Sequence, residues 1–194
     1  DLTQAKRFKQ LPLFYLGPMH RGLLLTDASP GDGFTFAYDD CGRVVPSSCR
    51  DPIEVQVESV CQRTPLFFEP EIAQGERLPA MRTRRGALAV RFGSGLVDLY
   101  TGPVAIELTT NGRDATRAID ALQPVNGPAR TALPPPVFPR DAVRTLREAS
   151  RLRRQLGSNA AVGRRLGVSR AQVRLRLQLA RALRRFGPLR STNC

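Results

Sequence analysis

The chain has 194 residues, of which 41% are hydrophobic, and this is enough to bury the core of one large or two small globular domains. It contains no run of 18 apolar residues, so the sequence predicts no membrane-spanning segment. The formal net charge is +13, and residues 140–194 account for all of it, with 15 arginines against two carboxylates. Residues 1–139 carry 15 basic and 15 acidic side chains, which cancel. A basic segment joined to a neutral one is typical of a polyanion-binding module attached to another domain.

The first part of the chain is rich in predicted strands. Residues 1–10 are polar and are predicted to be a flexible arm. Period-2 alternation around Phe36 and again around Val55 predicts two half-buried strands. Short apolar runs predict further strands, and helical spacing of apolar residues predicts one helix over 114–122. The runs lie at 11–16, 23–26, 87–92, 96–100 and 104–108. Residues 11–126 are therefore predicted to form an α+β domain, a mostly antiparallel sheet of six or seven strands with one helix.

This predicted domain carries little recognisable chemistry. It has no glycine-rich phosphate loop between a strand and a helix, and no nucleophile signature, so the sequence predicts neither an enzyme nor a cofactor. Cys41, Cys49 and Cys61 lack the closely spaced ligand pairs of zinc sites, and no metal is predicted. Two alternatives stay open for these thiols: reduced cysteines in a cytoplasmic protein, which is the preferred compartment, or a Cys41–Cys49 disulfide in an exported one.

A proline-rich segment separates the two parts of the chain. Residues 127–139 contain five prolines, a density that favours extended polyproline II structure. The sequence thus predicts a semi-rigid linker, followed by a small all-α domain over 140–186 and a tail over 187–194.

Capping residues divide the basic region into three helices. Apolar spacing predicts a first helix over Arg140–Leu156, capped by Gly157, and a short second helix over Asn159–Leu166. A third helix is predicted from Arg170 to about Phe186. Ser169 precedes it as the N-cap, with Gln172 at the position of a capping-box partner.

The second and third helices carry the pattern of a helix-turn-helix. The pattern needs a small residue, a leucine, a turn glycine, an apolar residue after the turn and two apolar residues in the third helix, and these positions are Gly163, Leu166, Gly167, Val168, Val173 and Leu177. On these residues the segment resembles the helix-turn-helix family, and within it the C-terminal promoter-reading region of sigma factors and related bacterial regulators. The resemblance covers residues 140–186 and implies double-stranded DNA as the partner.

The predicted DNA-binding residues follow from one face of the third helix. At 100° per residue, a basic stripe forms beside the stripe that packs on the second helix. Its first arginines would lie near base edges and its last near phosphates, while Ser169 and the arginines of the second helix would contact the backbone. The complete set is Ser169, Arg170, Arg174, Gln178, Arg181, Arg185, Arg164 and Arg165.

A second apolar stripe lies on another side of the third helix. It consists of Leu175, Leu179, Leu183 and Phe186. A helix that is apolar on two sides buries both, so this stripe is predicted to pack on the first helix, on the N-terminal domain or on a second copy or protein partner. If a second copy of the chain covers the stripe, the protein would be a homodimer that reads two DNA half-sites.

Together these patterns favour a transcriptional regulator, with residues 140–186 binding DNA and residues 11–126 sensing a ligand or interacting with another protein. The alternative is a non-catalytic, exported binding or interaction protein whose basic helical tail docks a partner or an anionic surface.

Overall fold

The structure, a computed structural model, describes residues 1–40, 53–74, 77–92, 96–110, 115–128 and 131–194. Its centre is an eight-stranded sheet in which all neighbouring strands are antiparallel. The strands, in chain order, are β2 (Met19–His20), β3 (Leu23–Pro30), β4 (Phe34–Asp39), β5 (Ile53–Ser59), β6 (Ala80–Arg84), β7 (Ala87–Phe92), β8 (Leu96–Thr101) and β9 (Val104–Thr109). A separate two-stranded pair joins β1 (Phe14–Tyr15) to β10 (Gln123–Pro124).

The sheet consists of two four-stranded meanders laid side by side. Its spatial order is β2-β3-β4-β5-β9-β8-β7-β6, so β5 and β9 meet at the centre and β2 and β6 form the two edges. Because successive side chains of a strand point to opposite faces of the sheet, each meander contributes side chains to both faces. The predicted mostly antiparallel sheet is confirmed, with its two edge strands, β2 and β6, not indicated by the sequence.

One face of the sheet carries the larger apolar core. It buries Phe34, Phe36 and Tyr38 of β4 against the central strands. Helix α3 (Ala115–Ala121) and the short helix α1 (Leu2–Arg7) cover this face. Residues 1–10, predicted to be a flexible arm, therefore begin with a helix, which is anchored because Ala5 is fully buried and Asp1 caps the first turn.

The opposite face is covered by the C-terminal helices. These are α4 (Arg140–Leu156), α5 (Asn159–Leu166) and α6 (Arg170–Leu183), which a 3-10 turn continues to Phe186. A second apolar cluster joins Leu88, Val90 and Tyr100 of the sheet to Leu146 of α4 and Leu179 of α6. A 3-10 helix (Pro65–Phe68) and α2 (Glu69–Ala73) cross over between the meanders and border the same cluster. The sheet is thus sandwiched between helices, and the basic helices share a core with it.

The proline-rich segment lies against the sheet. Leu133 and Phe138 are buried, and the Gly102 N–H donates to the Pro135 carbonyl oxygen at 3.1 Å. Strand β11 (Phe138–Pro139) pairs in parallel with β12 (Ser191–Thr192) of the tail. The described part of the predicted linker is therefore docked on the sheet, because its apolar residues find sites there.

The tail is also joined covalently to the sheet. Cys61, just after β5, forms a disulfide with Cys194, with Cα atoms 5.6 Å apart. Cys41 and Cys49, the cysteines of the predicted disulfide, lie outside the described residues. Nor does any helix in the described ranges have the length and apolarity needed to cross a membrane.

Candidate nucleic-acid interface

The turn between α5 and α6 is built by local capping. Gly167 ends α5 in the left-handed conformation, with φ +67°, which glycine adopts without steric cost. Ser169 then begins α6: its hydroxyl accepts from the Gln172 N–H at 3.1 Å, and its own N–H donates to Gln172 Oε1 at 2.8 Å. This reciprocal capping box satisfies two backbone N–H donors at the helix start and sets the direction in which α6 leaves the turn.

Close packing behind the turn explains the small residue at position 163. A Cβ atom on Gly163 would lie 2.7 Å from the carbonyl oxygen of Val168, so any larger residue would push the turn away from α5. The Val168 N–H donates to the Gly163 carbonyl oxygen at 3.0 Å. Beneath the turn, Val162, Val173 and Leu152 form a small apolar cluster that includes all three helices.

An exposed arginine stripe runs along α6. Arg170, Arg174, Arg181 and Arg185 are all solvent-exposed, the last just beyond the α-helical end. At 100° per residue they fall within about 60° of one another, and Leu179 lies on the opposite side of the helix. Since Leu179 is fully buried against the sheet, the stripe faces away from the core. We call these four residues the α6 arginine stripe.

The remaining predicted site residues divide into two groups. Arg164 and Arg165, in the last turn of α5, are exposed. Gln178, by contrast, is only partly exposed and donates from Nε2 to the Pro79 carbonyl oxygen at 2.9 Å. The Ser169 hydroxyl is likewise engaged as the helix cap. The structure therefore presents six of the eight predicted residues to solvent and gives Gln178 and Ser169 structural contacts.

The second apolar stripe of α6 is filled by the chain itself. Leu175 and Leu179 are fully buried, Leu183 is 3% exposed, and Phe186 packs at the margin of the same cluster. Of the packing partners predicted for this stripe, two are observed: the first helix, α4, through Val143 and Leu146, and the sheet of the N-terminal region. A homodimer or partner seam through these four residues is therefore not supported, because three of them are buried within one chain and Phe186 is partly buried.

An ion pair missed from the sequence fixes α6 beside α2. Arg176 donates from Nε and Nη2 to the two carboxylate oxygens of Glu69, at 2.5 and 2.7 Å, and both side chains are largely buried. The pairing with Glu69 raises the pKa of Arg176. The sequence signal was a charged residue between Leu175 and Leu177, on the side of α6 away from the arginine stripe. Its partner is 107 residues distant and could not be identified from spacing.

A second row of arginines lies on α4. Arg140, Arg144, Arg147 and Arg151 recur at helical spacing and line an open cleft of about 610 Å³ with Glu148 and Ser191. All four side chains are exposed. We call them the α4 arginine row; they were not among the residues predicted to bind DNA.

A buried polar network lies between the sheet and the crossover segment. Arg63 donates to Asp98 at 3.1 Å and also contacts Glu107, while the Tyr100 hydroxyl donates to Asp98 Oδ2 at 2.9 Å. Burial raises the pKa of Asp98 to about 6, although Arg63 and Tyr100 oppose this shift. The guanidinium of Arg63 also lies over the Phe68 ring at 5.3 Å. Arg63 thus links β8 and β9 to the 3-10 helix that precedes α2.

A scan against protein-family models finds no match to this chain, and neither do searches of curated proteins and of solved structures.

Proposed function

We propose that the C-terminal helices bind double-stranded DNA and that the protein is a transcriptional regulator, with its sheet region as the sensing or interaction part. The observation that supports this most directly is the α6 arginine stripe. It stands exposed on the helix that follows the glycine turn, while the other sides of that helix are buried.

The length of α6 suits the major groove. Arg170 and Arg181 are 11 positions apart, which is roughly 16 Å along a helix axis, whereas the major groove is about 12 Å wide. Arg170 and Arg174 at the N-terminal end would therefore lie near base edges, with Arg181 and Arg185 beyond them near phosphates. Arg164 and Arg165, on the helix before the turn, would contact the backbone.

The charge of the interface makes a quantitative prediction about salt. Six exposed arginines contribute to it, four from the α6 arginine stripe and two from α5. If each neutralises one phosphate, the logarithm of the association constant falls against the logarithm of salt concentration with a slope of about −5. Removing two of these contacts reduces the slope by about 2 and weakens binding roughly 60-fold at 0.1 M salt.

The test is fluorescence anisotropy of a labelled duplex titrated with wild-type protein and with Arg170→Gln/Arg174→Gln, across a series of salt concentrations. The matched control is Arg7→Gln/Arg21→Gln, which removes the same charge from exposed positions far from α6 along the chain. The proposal expects the first variant to lose affinity and slope while the control stays within about twofold of wild type. Equal losses in both variants, or no binding by the wild type, would refute a recognition role for α6.

The Cys61–Cys194 disulfide favours a second candidate function. Disulfides persist in oxidising compartments and are rare in the cytosol. In an exported protein the same basic helices would dock an anionic surface, and the α4 arginine row would contribute as much as the α6 arginine stripe.

Two measurements separate the candidates. Free thiols are blocked during isolation, the denatured protein is reduced, and the newly released thiols are labelled and mapped by peptide; labels on Cys61 and Cys194 report that these residues are bonded in the cell. Binding to vesicles of anionic phosphatidylglycerol, compared with duplex DNA, then identifies the partner. Docking on an anionic surface predicts equal losses for Arg140→Gln/Arg144→Gln and Arg170→Gln/Arg174→Gln, whereas DNA recognition predicts the larger loss for the second.

A further inference from the structure

A cleft of about 360 Å³ lies on the sheet face opposite α6, between the edge hairpin β6–β7 and helix α3. Its polar lining includes three arginines, Arg82 and Arg84 of β6 and Arg91 of β7. Its apolar lining includes Val97 of β8 and Ile119 of α3. This volume is in the range of pockets that hold small ligands.

Strand register explains why the three arginines meet. Arg82 pairs across the hairpin with Ala89, and Ala80 pairs with Arg91, so Arg82 and Arg91 are diagonal neighbours on one face. Arg84 follows Arg82 by two residues and therefore lies on that face as well. The small side chain of Ala89 leaves space between them.

The positive charge in the cleft is only partly balanced. Among the ion pairs within the described ranges, the one that involves a lining arginine joins Arg84 to Asp120 at 2.8 Å, across the cleft to α3. Like charges so close together repel each other, and an anion placed between them relieves that repulsion.

Protection of the sheet edge does not account for this cluster. Charged residues on an edge strand discourage pairing with other chains, and this explains Arg82 and Arg84. Arg91, however, lies on β7, which is paired on both sides, by β6 and by β8. An edge-protecting role gives no reason for a third arginine there, directed toward the same cleft.

We propose that this cleft binds a small organic anion, a phosphate or carboxylate attached to an apolar group. Guanidinium groups of Arg82 and Arg91 hold the anionic end by charge-assisted hydrogen bonds, and the apolar group packs on Val97 and Ile119. This site is separate from the α6 arginine stripe, and its existence does not depend on DNA binding.

The experiment is isothermal titration of the full chain with phenyl phosphate. Benzyl alcohol and inorganic phosphate are the comparison probes, since the first lacks the charge and the second lacks the apolar group. The proposal expects phenyl phosphate to bind at least about tenfold more tightly than either. No binding of phenyl phosphate, or equal binding of inorganic phosphate, would overturn it.

Substitutions of the lining arginines test whether phenyl phosphate binds in this cleft. Arg82→Gln/Arg91→Gln should weaken phenyl phosphate binding about tenfold or more, and because both side chains are exposed the substitutions leave the core intact. The matched control Arg7→Gln/Arg21→Gln should bind as wild type does, and equal losses in the two would overturn the assignment.

A substitution at Asp120 should change the affinity for phenyl phosphate in the opposite direction. Asp120→Asn removes the carboxylate that pairs with Arg84 and should therefore tighten binding severalfold, whereas Asp141→Asn on α4 should not. Weaker binding by Asp120→Asn would contradict the proposal. Arg170→Gln/Arg174→Gln should leave phenyl phosphate binding unchanged, so failure of this site and failure of the DNA proposal are distinguishable.

Discussion

Replacing the Cys61–Cys194 disulfide by two serines should strongly reduce the free energy of unfolding. The two cysteines are 133 positions apart, so the bond closes most of the chain into a loop. The chain-entropy relation gives a stabilisation of about 5 kcal/mol for a loop of this length. Residual structure in the denatured state makes this an upper value, and we expect a loss of about 3–5 kcal/mol.

The positions of the two cysteines allow the loss of the disulfide to be measured without other changes in packing. Both are exposed, so a serine at either site removes no buried contact. Urea unfolding of oxidised wild type and of Cys61→Ser/Cys194→Ser, followed by far-UV circular dichroism, measures the loss. Each single variant breaks the same bond and should lose as much as the double variant. A loss below about 1 kcal/mol, or additive small losses in the singles, would refute a covalent tie between the tail and the sheet.

Three further substitutions test the contacts that position α6 and the buried network. Gly163→Ala should destabilise the fold by about 1–3 kcal/mol, since its Cβ meets a carbonyl oxygen at 2.7 Å, and thermal unfolding measures this. Arg176→Met should cost about 2 kcal/mol in urea unfolding, because it leaves the largely buried Glu69 carboxylate without its partner. Asp98, whose pKa is raised to about 6, binds a proton more tightly folded than unfolded, so its ionisation opposes folding. Relative to Asp98→Asn, wild type should therefore lose up to about 3 kcal/mol of unfolding free energy between pH 4 and pH 7.

Control variants separate the steric, ion-pair and ionisation effects described above from a general loss of stability on substitution. Gly31→Ala adds a methyl group where no atom lies within 4 Å and should leave the melting temperature nearly unchanged. The double variant Arg176→Met/Glu69→Met leaves no unpaired charge, so it should be more stable than Arg176→Met alone. A stability difference between wild type and Asp98→Asn that is constant with pH would contradict a raised pKa at Asp98.

The secondary structure could be predicted best where local rules dominate. The helices Arg140–Leu156 and Asn159–Leu166 have the predicted bounds, because Gly157, Ser158 and Gly167 are strong helix boundaries. Strand β6 was missed because two of its five residues are arginines. The alternation of Met81 and Thr83 with Arg82 and Arg84 is that of an edge strand with a charged face, a pattern that resembles a basic loop in sequence.

Tertiary relations were less accessible to sequence reasoning. The apolar stripe of Leu175 and Leu179 indicated that α6 buries a second side, but periodicity does not identify what covers it. The covering surface, around Leu88 and Tyr100, lies about 80 residues earlier in the chain. For the same reason neither the Arg176–Glu69 pair nor the cleft beneath α3 could be predicted, since each joins residues that only the folded sheet brings together.

The packing of α6 on the sheet has a consequence for the proposed function. Strand β6 takes part in both surfaces: Met81 packs in the cluster that contains α6, while Arg82 and Arg84 line the cleft on the other face. Gln178 of α6 further bonds to Pro79, immediately before this strand. A ligand that draws Arg82 and Arg91 together would alter the position of β6, and β6 supports the helix that carries the arginine stripe. A ligand that binds more tightly to one position of β6 therefore couples the two sites, and such coupling is reciprocal. Phenyl phosphate should change the affinity of the protein for DNA by the same factor by which DNA changes its affinity for phenyl phosphate.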